Sequence, residues 1–403
     1  MFGRYSGILI LLCCALSCSN RPSFNKANVA PLHQISLDSV TVMQAIAPDD
    51  SSGHFLGLID SNYCLVKLET KPGVLVGNID KIISVKGRYF ILDQFSSSSA
   101  FIFDQQGKFI SRIGSKGLKE DQYTMPSDMI VDTLRDQVLI LDGAGQKINY
   151  YDLNGRFLRS TPLDFLCNAF DKFGSRFAFS GGGHDEDRLI ITDSNFQKIA
   201  TFYPLDPLNA AELPNPFFGK SASTCYYRQV LNDTIFRLDE DGMSPYLYVD
   251  FGKWKANRQQ LLQSLKAPHK TEYQTANNFM CNFVQYYEMP ELRMFSFTYQ
   301  GHFFGALQSL TTGKIKLYSI ADLKNDVLYT SGAPPIVGTD NEGSVFSFVT
   351  SAKILIAIKK WKEQSDGYAF DHYARMTSLV TSLGAGFNEF SNPVIIKYRF
   401  KPF

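Results

Sequence analysis

At 403 residues, with 44% hydrophobic and 20% charged side chains, the chain has the composition of a globular protein with a large core. Its 40 basic and 39 acidic residues leave a formal charge of +1, which excludes the broad basic face that nucleic-acid phosphates require. The 33 Phe and 20 Tyr favour strands over helices.

Residues 1–17 read as a lipoprotein signal peptide. Arg4 supplies a positive n-region, and Ile8 to Leu16 form an apolar core too short to span a bilayer. Ala15-Leu-Ser-Cys18 has the pattern of a bacterial lipobox, with the small Ser17 before Cys18, the thiol expected to carry diacylglycerol. An ordinary signal peptide with a chance cysteine, or an uncut anchor, is the alternative. Ser19 rather than Asp follows Cys18, which by resemblance to known lipoprotein sorting implies the outer membrane. Ser19-Asn-Arg-Pro-Ser-Phe24 lacks an acidic export run, which implies a periplasm-facing protein. Residues 18–30 read as a polar tether. If Cys18 is modified, Cys64, Cys167, Cys225 and Cys281 allow three disulfide pairings, or buried thiols on strands. Their irregular spacing suits no metal site.

His33 to Gln44 and Phe55 to Leu68 contain strand-like pieces, of which Tyr63 to Leu68 is the clearest. A repeat then begins. Phe90-Ile-Leu-Asp93 leads to Ile102-Phe-Asp104, Gly107 and Phe109; Val138-Leu-Ile-Leu-Asp142 leads to Ile148-Asn-Tyr-Tyr-Asp152, Gly155 and Phe157. The offset is 49 positions for Asp93 to Asp142 and 48 for Asp104 to Asp152, Gly107 to Gly155 and Phe109 to Phe157. Gln105-Gln-Gly107 and Leu153-Asn-Gly155 are hairpin turns, with Gly supplying a positive φ. Short apolar strands broken by Asp/Gly turns at this spacing predict successive blades of a β-propeller.

A third unit follows at Phe165 to Phe170, Arg176 to Ser180, Arg188 to Thr192 and Lys198 to Tyr203, with Asp193 in the place of Asp152. Pro204 to Pro216 reads as a crossing between blades. Thr224 to Gln229, Thr234 to Leu238 and Tyr246 to Phe251 belong to a fourth unit. The apolar period then changes over 253–265, where Trp254, Leu261, Leu262 and Leu265 predict an amphipathic helix. Strands resume at Arg293 to Tyr299, Phe303 to Gln308, Lys314 to Tyr318 and Val345 to Thr350. Residues 351–383 read as helical again, with Ile354, Leu355, Ile358 and Trp361 on one face and Tyr373, Met376, Val380 and Leu383 on another. Pro393 to Phe400 is a final strand. About 281 residues remain for repeats, and at about 48 per blade they make close to six. The sequence therefore predicts an all-β, six-bladed β-propeller over 31–403, with helical insertions at about 253–265 and 351–383. The C-terminal strand and the strand near Tyr63 to Leu68 are expected to share a blade and close the ring.

The run Gly114…Gly117…Tyr123…Pro126…Asp128…Asp132 resembles an NHL-type blade junction. Leu231-Asn-Asp-Thr-Ile-Phe-Arg-Leu238, Tyr248-Val-Asp-Phe-Gly252 and Asn392-Pro-Val-Ile-Ile-Lys-Tyr398 resemble the six-bladed NHL-like propeller lipoproteins of Bacteroidetes. Where that family often has Gly-Pro-Gly-Glu-Tyr, this chain has Gly117-Leu-Lys-Glu-Asp-Gln-Tyr123. The resemblance implies architecture and no settled activity.

Candidate chemistry is sparse. Gly219-Lys-Ser221 ends like a phosphate loop, but Pro214 and Pro216 remove the amides that would cradle phosphate. His184-Asp-Glu-Asp187 is the densest polar cluster, with Ca²⁺ binding or a solvated hairpin as its two readings. Asp93, Asp104, Asp142, Asp152 and Asp193 recur at strand ends, where they are expected to accept turn amides rather than line a channel. The six His (His33, His54, His184, His269, His302, His372) form no H-E-x-x-H pair, and no G-x-S-x-G elbow occurs. In the doublets Tyr150-Tyr151, Tyr226-Tyr227, Tyr286-Tyr287 and Phe303-Phe304, one ring is expected in the core and the other is available to a ligand. No metal or cofactor is expected. The reading is a lipid-anchored recognition module for a protein, peptide or glycan, with a lyase or hydrolase acting in the central channel, or a structural subunit of an envelope complex, as alternatives.

Overall fold

The computed structural model describes residues 24–37, 53–181, 187–204, 218–221, 224–229, 232–252, 282–299, 302–363 and 370–403. The signal peptide, Cys18, the expected helix at 253–265, Cys281, His269 and all but Asp187 of the His184 cluster lie outside them.

The N-terminal part holds β1 (Asn25–Lys26), β2 (His33–Ser36), the short helix α1 (Phe55–Leu58) and β3 (Cys64–Lys67). Blade one is β4 (Lys81–Val85), β5 (Arg88–Asp93), β6 (Ser99–Asp104) and β7 (Phe109–Ile113). Blade two is β8 (Pro126–Asp132), β9 (Gln137–Asp142), β10 (Lys147–Asp152) and β11 (Phe157–Pro162). Blade three is β12 (Cys167–Phe173), β13 (Arg176–Gly181), β14 (Leu189–Thr192) and β15 (Lys198–Phe202). Blade four is β16 (Phe218–Ser221), β17 (Thr224–Arg228), β18 (Thr234–Asp239) and β19 (Gly242–Asp250). Blade five is β20 (Asn282–Glu288), β21 (Leu292–Tyr299), β22 (His302–Ser309) and β23 (Ile315–Ser319), followed by the hairpin β24 (Lys324–Asn325) and β25 (Thr330–Ser331). Blade six starts with β26 (Ile336–Thr339) and β27 (Val345–Val349). The helices α2 (Ser351–Glu363) and α3 (Phe370–Leu383) intervene before β28 (Val394–Tyr398).

The four strands of each of blades one to five are antiparallel and in sequence order, blade six is completed by an N-terminal strand, and the ring closes as the repeat predicts. The outermost strand of blade six is β3, with Leu65 opposite Ile396 and Val66 opposite Ile395. The fold is a six-bladed propeller with a two-strand clasp joining its ends, which removes an open edge from the last blade.

The alternation of side chains explains the apolar runs. Along β5, Tyr89 and Ile91 enter the core shared with blade six, while Phe90 and Leu92 enter the core shared with blade two. Along β9, Val138 and Ile140 face blade one, and Leu139 and Leu141 face blade three. Both faces of a middle strand are thus buried, and successive apolar residues serve different cores. A buried Phe or Leu contributes about 1.5–3 kcal/mol relative to its exposed state.

Three inner strands, β16, β20 and β26, carry no such run and were not among the expected strands. The glycines of β16 and β26 mark the crowding near the axis. A Cβ on Gly219 would lie 2.5 Å from the Tyr286 carbonyl oxygen of β20, and one on Gly338 would lie 2.2 Å from that of Ile82 on β4. Gly219-Lys-Ser221, with its phosphate-loop ending, is therefore the end of an inner strand.

Phe55–Leu58, expected within a strand-like region, is instead one helical turn, with Phe55 against Tyr398 at 5.0 Å between ring centroids. Residues 24–30 of the expected tether are held against the ring: Phe24 is buried, and β1 and β2 add in parallel to the outer edge of β19. In α2 and α3, Ile354, Ile358, Trp361, Met376, Leu379 and Leu383 are buried in the core that also holds Leu323, Val327 and Leu328. Leu355 is only half-buried, and Ala357 takes the inward position beside Ile358. No described helix is long and apolar enough to cross a membrane.

Candidate functional site

Antiparallel order gives the ring two distinct faces. Turns between first and second strands, and between third and fourth, open on one, here the turn face. Second-to-third links and blade-to-blade crossings open on the other, the connection face.

The strand-end aspartates serve the backbone. Asp93 accepts the amides of Gly77 at 2.8 Å, Ser96 at 2.9 Å and Asn78 at 3.3 Å. Asp142 accepts those of Thr124 at 2.7 Å, Met125 at 3.0 Å and Gly145 at 3.0 Å. On the turn face, Asp104, Asp152 and Asp193 each accept two amides, two and four residues onward, at 2.8–2.9 Å. Each is an Asx turn closing a hairpin, as the recurrence implies. Phe196, at φ 63°, stands in the third unit where Gly107 (φ 81°) and Gly155 (φ 85°) stand in the first two. Its ring fills the core between blades two and three, 5.0 Å from Phe177.

The junction residues of blade two also act between blades. Tyr123 is fully buried and donates to the Ile113 carbonyl at 3.0 Å; burial pushes its hydroxyl up to about 12. Asp128 joins three blades, pairing with Lys81 of blade one at 2.7 Å and accepting the Phe170 amide of blade three at 3.0 Å. Asp132 pairs with Lys172 of blade three at 2.5 Å and with Arg135 at 3.0 Å. Burial pushes the Asp132 carboxyl up, but these two cations outweigh it and hold it below the usual range. The acids of the inner strand of blade two are therefore engaged in holding the ring.

The most elaborate polar centre escaped the sequence reading. It lies between blades four and five. Glu288 Oε1 accepts the hydroxyls of Tyr226 and Tyr246 at 2.8 Å. Its Oε2 accepts from Tyr286 at 2.6 Å, Tyr246 at 2.9 Å and Arg293 Nε at 3.1 Å. Arg293 Nη1 donates to Gln308 Oε1 at 2.9 Å, and Nη2 to the Tyr246 hydroxyl at 3.2 Å. The Arg293 side chain is 1% exposed and that of Glu288 12%. Burial pushes the Glu288 carboxyl up, yet three hydroxyl donors and the guanidinium outweigh it, and the group is held below its ordinary range. Burial pushes the Tyr226 and Tyr246 hydroxyls up, and the neighbouring carboxylate adds to it. His33 of β2 sets its ring 5.0 Å from that of Tyr246; burial and then Arg293 lower its pKa, with Glu288 opposing. A carboxylate whose oxygens accept from four donors, the Tyr246 hydroxyl shared between both, is a poor proton acceptor, so the cluster braces two blades rather than abstracting protons. One signal was legible: Arg293 interrupts an apolar strand, and a buried charge needs a partner.

The other candidates separate. His54 lies 3.3 Å from Asp326, and His302 is exposed at the start of β22. Cys64 is a free surface thiol, while Cys167 and Cys225 are buried in different inter-blade cores. Both rings of the Tyr150-Tyr151 and Tyr226-Tyr227 doublets are buried, each in its own core, which corrects the expectation of one available ring. Tyr287 is half-buried, and in the last doublet Phe303 is 49% exposed while Phe304 is fully buried. Among the described residues no group of His, Cys, Asp or Glu is arranged to hold a metal ion.

Exposed large apolar side chains gather on the connection face. Leu75, Phe95, Leu118, Leu166, Phe303 and Phe390 emerge there, against Leu134 and Leu310 on the turn face and Ile110 and Leu158 near the turn-face ends of β7 and β11. Three of the six share one region. Leu75 lies between Val74 and Val76, both hydrogen-bonded to the side chain of Asn392, two residues past Phe390; Phe95 adjoins Ser96, whose side chain abuts Gly77. This is a surface for contact, with apolar groups on loops held by a rigid ring.

One solved structure supports the architecture. A crystal structure of a protein from Bacteroides fragilis, described as exported, aligns with a TM-score of 0.69 at 18% identity, covering 92% of this chain and 100% of the other. A member of the DUF4221 family from Bacteroides vulgatus aligns with a TM-score of 0.48 at 10% identity, covering 85% of this chain and 97% of the other. A search of curated protein sequences finds no match. The profile of one sequence family spans residues 58–399, from the turn before the clasp strand to the end of the last blade. The chain thus belongs to the family described as a domain of unknown function, DUF4934.

Proposed function

We propose that this protein is a lipid-anchored recognition module of the cell envelope, NHL-like in its blade junctions, acylated at Cys18 and facing the periplasm from the outer membrane. Its ligand is a protein, peptide or glycan. One contrast carries this reading: the strand-end and inner-strand acids of blades one to three are engaged in backbone or ion-pair contacts, while the connection face presents Leu75, Phe95 and Phe390 to solvent. Export is supported by the N-terminal signal pattern and by the description of the Bacteroides fragilis protein as exported.

The test is retention of envelope components on immobilised protein, compared with Phe95→Asp/Phe390→Asp. The exposed positions should tolerate the change with an unaltered melting temperature while a retained component is lost. Equal retention by both proteins would remove the connection face from consideration. Stoichiometric Ca²⁺ or Zn²⁺ surviving dialysis would favour the alternative, an NHL-like lyase or hydrolase with a site in the central channel.

A further inference from the structure

The helical insertion continues the connection face. It links the second and third strands of blade six, so α2 starts beside the exposed apolar groups of that face. Ser351 Oγ, on its first residue, donates to the Glu389 carbonyl at 3.0 Å, and Phe390 follows directly. The helix buries Ile354, Ala357, Ile358 and Trp361. Its outer side exposes Lys353, Ile356, Lys359, Lys360 and Lys362. Ile356 is 67% exposed and stands about 8 Å along the axis from Ser351. Lys353 lies three residues before it, and Lys359 and Lys360 three and four after, so a large apolar side chain sits in solvent between ammonium groups.

This charge is concentrated, and part of it works against the helix. The whole chain has a formal charge of +1, yet α2 holds four lysines against one acid, Glu363. Glu363 lies 4.0 Å from Lys359; among the described residues the other three lysines form no ion pair. Glu389, exposed beside Phe390, still leaves this side positive. Lys360 and Lys362 in the last turn suit the helix dipole. Lys353 does not: it stands in a first turn that has no acid, where a cation costs about 0.3–1 kcal/mol. A residue set against local stability points to a use outside the helix.

We infer that the partner of this face is an acidic polypeptide segment, with its apolar side chains on Leu75, Phe390 and Ile356 and its carboxylates against the α2 lysines. The inference rests on the reading of the connection face as a recognition surface and narrows its ligand to one class. Exposed ammonium groups attract carboxylates at a distance, in a manner that salt screens. A sugar would need hydrogen-bond partners for its hydroxyls beside an aromatic platform. The carboxylates next to Phe95 are turned to the loops themselves: Asp80 accepts the Gln94 amide at 2.6 Å, and Asp93 accepts those of Gly77 at 2.8 Å and Ser96 at 2.9 Å. Asn392 is fully buried and bonded to Val74 and Val76 on either side of Leu75. What the face offers is apolar contact beside positive charge, which an acidic segment with apolar side chains complements.

The test measures binding of short fluorescent probes to the full-length protein by anisotropy. The main probe is a peptide alternating Glu or Asp with Phe or Leu. One counterpart has Lys in place of the acids, a second has Ser in place of the apolar residues, and a labelled oligogalacturonate stands for an anionic glycan. The expected result is several-fold tighter binding of the acidic apolar peptide than of any counterpart, weakened several-fold by added salt and by Lys353→Glu/Lys360→Glu. The change at position 353 puts an acid where the helix dipole favours one, so the melting temperature should hold and the loss be one of recognition. Equal binding of the basic or the serine counterpart, tightest binding of the oligogalacturonate, or unaltered binding by the lysine variant overturns the acidic polypeptide. If no probe binds while Phe95→Asp/Phe390→Asp still loses an envelope component, this inference falls and the recognition surface stands. If neither peptide binding nor retention responds to Phe95→Asp/Phe390→Asp, the surface falls and the inference with it.

Discussion

The amide of Val76 donates to the side-chain Oδ1 of Asn392 at 2.8 Å, across 316 positions of sequence. The same Asn392 side chain donates through Nδ2 to the carbonyls of Glu69 at 2.8 Å and Val74 at 3.0 Å, and it is fully buried. Its own amide donates to Thr70 Oγ1 at 2.8 Å. One side chain thus fixes the crossing from the clasp strand to blade one against the start of the last strand.

Asn392→Ala is expected to leave a buried amide and two carbonyls without their partner. Each unsatisfied group costs about 1–3 kcal/mol, so a loss of several kcal/mol is expected in chemical denaturation. Asn392→Asp should be no better, since the carboxylate keeps the acceptor but cannot donate to the two carbonyls. A change under half a kcal/mol would show that the clasp holds without this residue.

Gly107 and Gly313 separate two costs of replacing glycine. Both have a positive φ, 81° and 72°, but a Cβ on Gly107 would meet the Lys67 carbonyl oxygen at 2.3 Å, whereas nothing lies within 4 Å of one on Gly313. Gly313→Ala should cost about 1 kcal/mol, the conformational penalty alone. Gly107→Ala should cost more by about 1–3 kcal/mol, because the turn must shift away from the clasp strand. Equal melting temperatures for the two variants would contradict the close approach.

Phe196→Gly sets strain against packing. Glycine relieves a left-handed backbone worth about 1–2 kcal/mol. It also removes a ring buried between blades two and three, where Phe→Ala losses run at about 3–5 kcal/mol. The net expectation is destabilisation by about 2 kcal/mol. A stabilised variant would mean that the ring contributes little.

Acid should weaken the blade four–five brace. The Glu288 carboxyl titrates lower in the folded state than in the unfolded chain, so its contribution is full above the ordinary glutamate range. It is lost as pH falls through the depressed folded value. Glu288→Gln should therefore show a flatter fall in melting temperature from neutral to acid pH than the unmodified protein. The flattening is partial, because the Asp132 carboxyl is held low in the same direction. Parallel curves for the two proteins would exclude Glu288 as a source of acid sensitivity.

The ring was legible because its repeat is written in local chemistry. Asp104, Gly107, Asp152 and Gly155 recur because each hairpin needs an amide acceptor and a positive φ, and both needs are met within a few residues. Middle strands such as Phe90-Ile-Leu and Val138-Leu-Ile-Leu declared themselves because both of their faces are buried. The shared blade at the ends followed from the count and from an otherwise open edge.

What escaped was decided by contacts between blades. Inner strands β16 and β26 are shaped by backbone crowding at the axis, which selects Gly219 and Gly338 rather than an apolar pattern. The brace at Glu288 joins Tyr226 and Tyr246 of blade four to Tyr286 and Arg293 of blade five, and no local spacing encodes that meeting. A lone sheet has an outer side that would leave the second ring of Tyr150-Tyr151 available, whereas each blade lies between two neighbours and buries both. Sequence alone determined the modules and the closure of the ring, since turns and strand faces depend on neighbours in the chain. Tertiary structure decided which polar groups meet and which apolar groups remain outside, since those depend on neighbours in space.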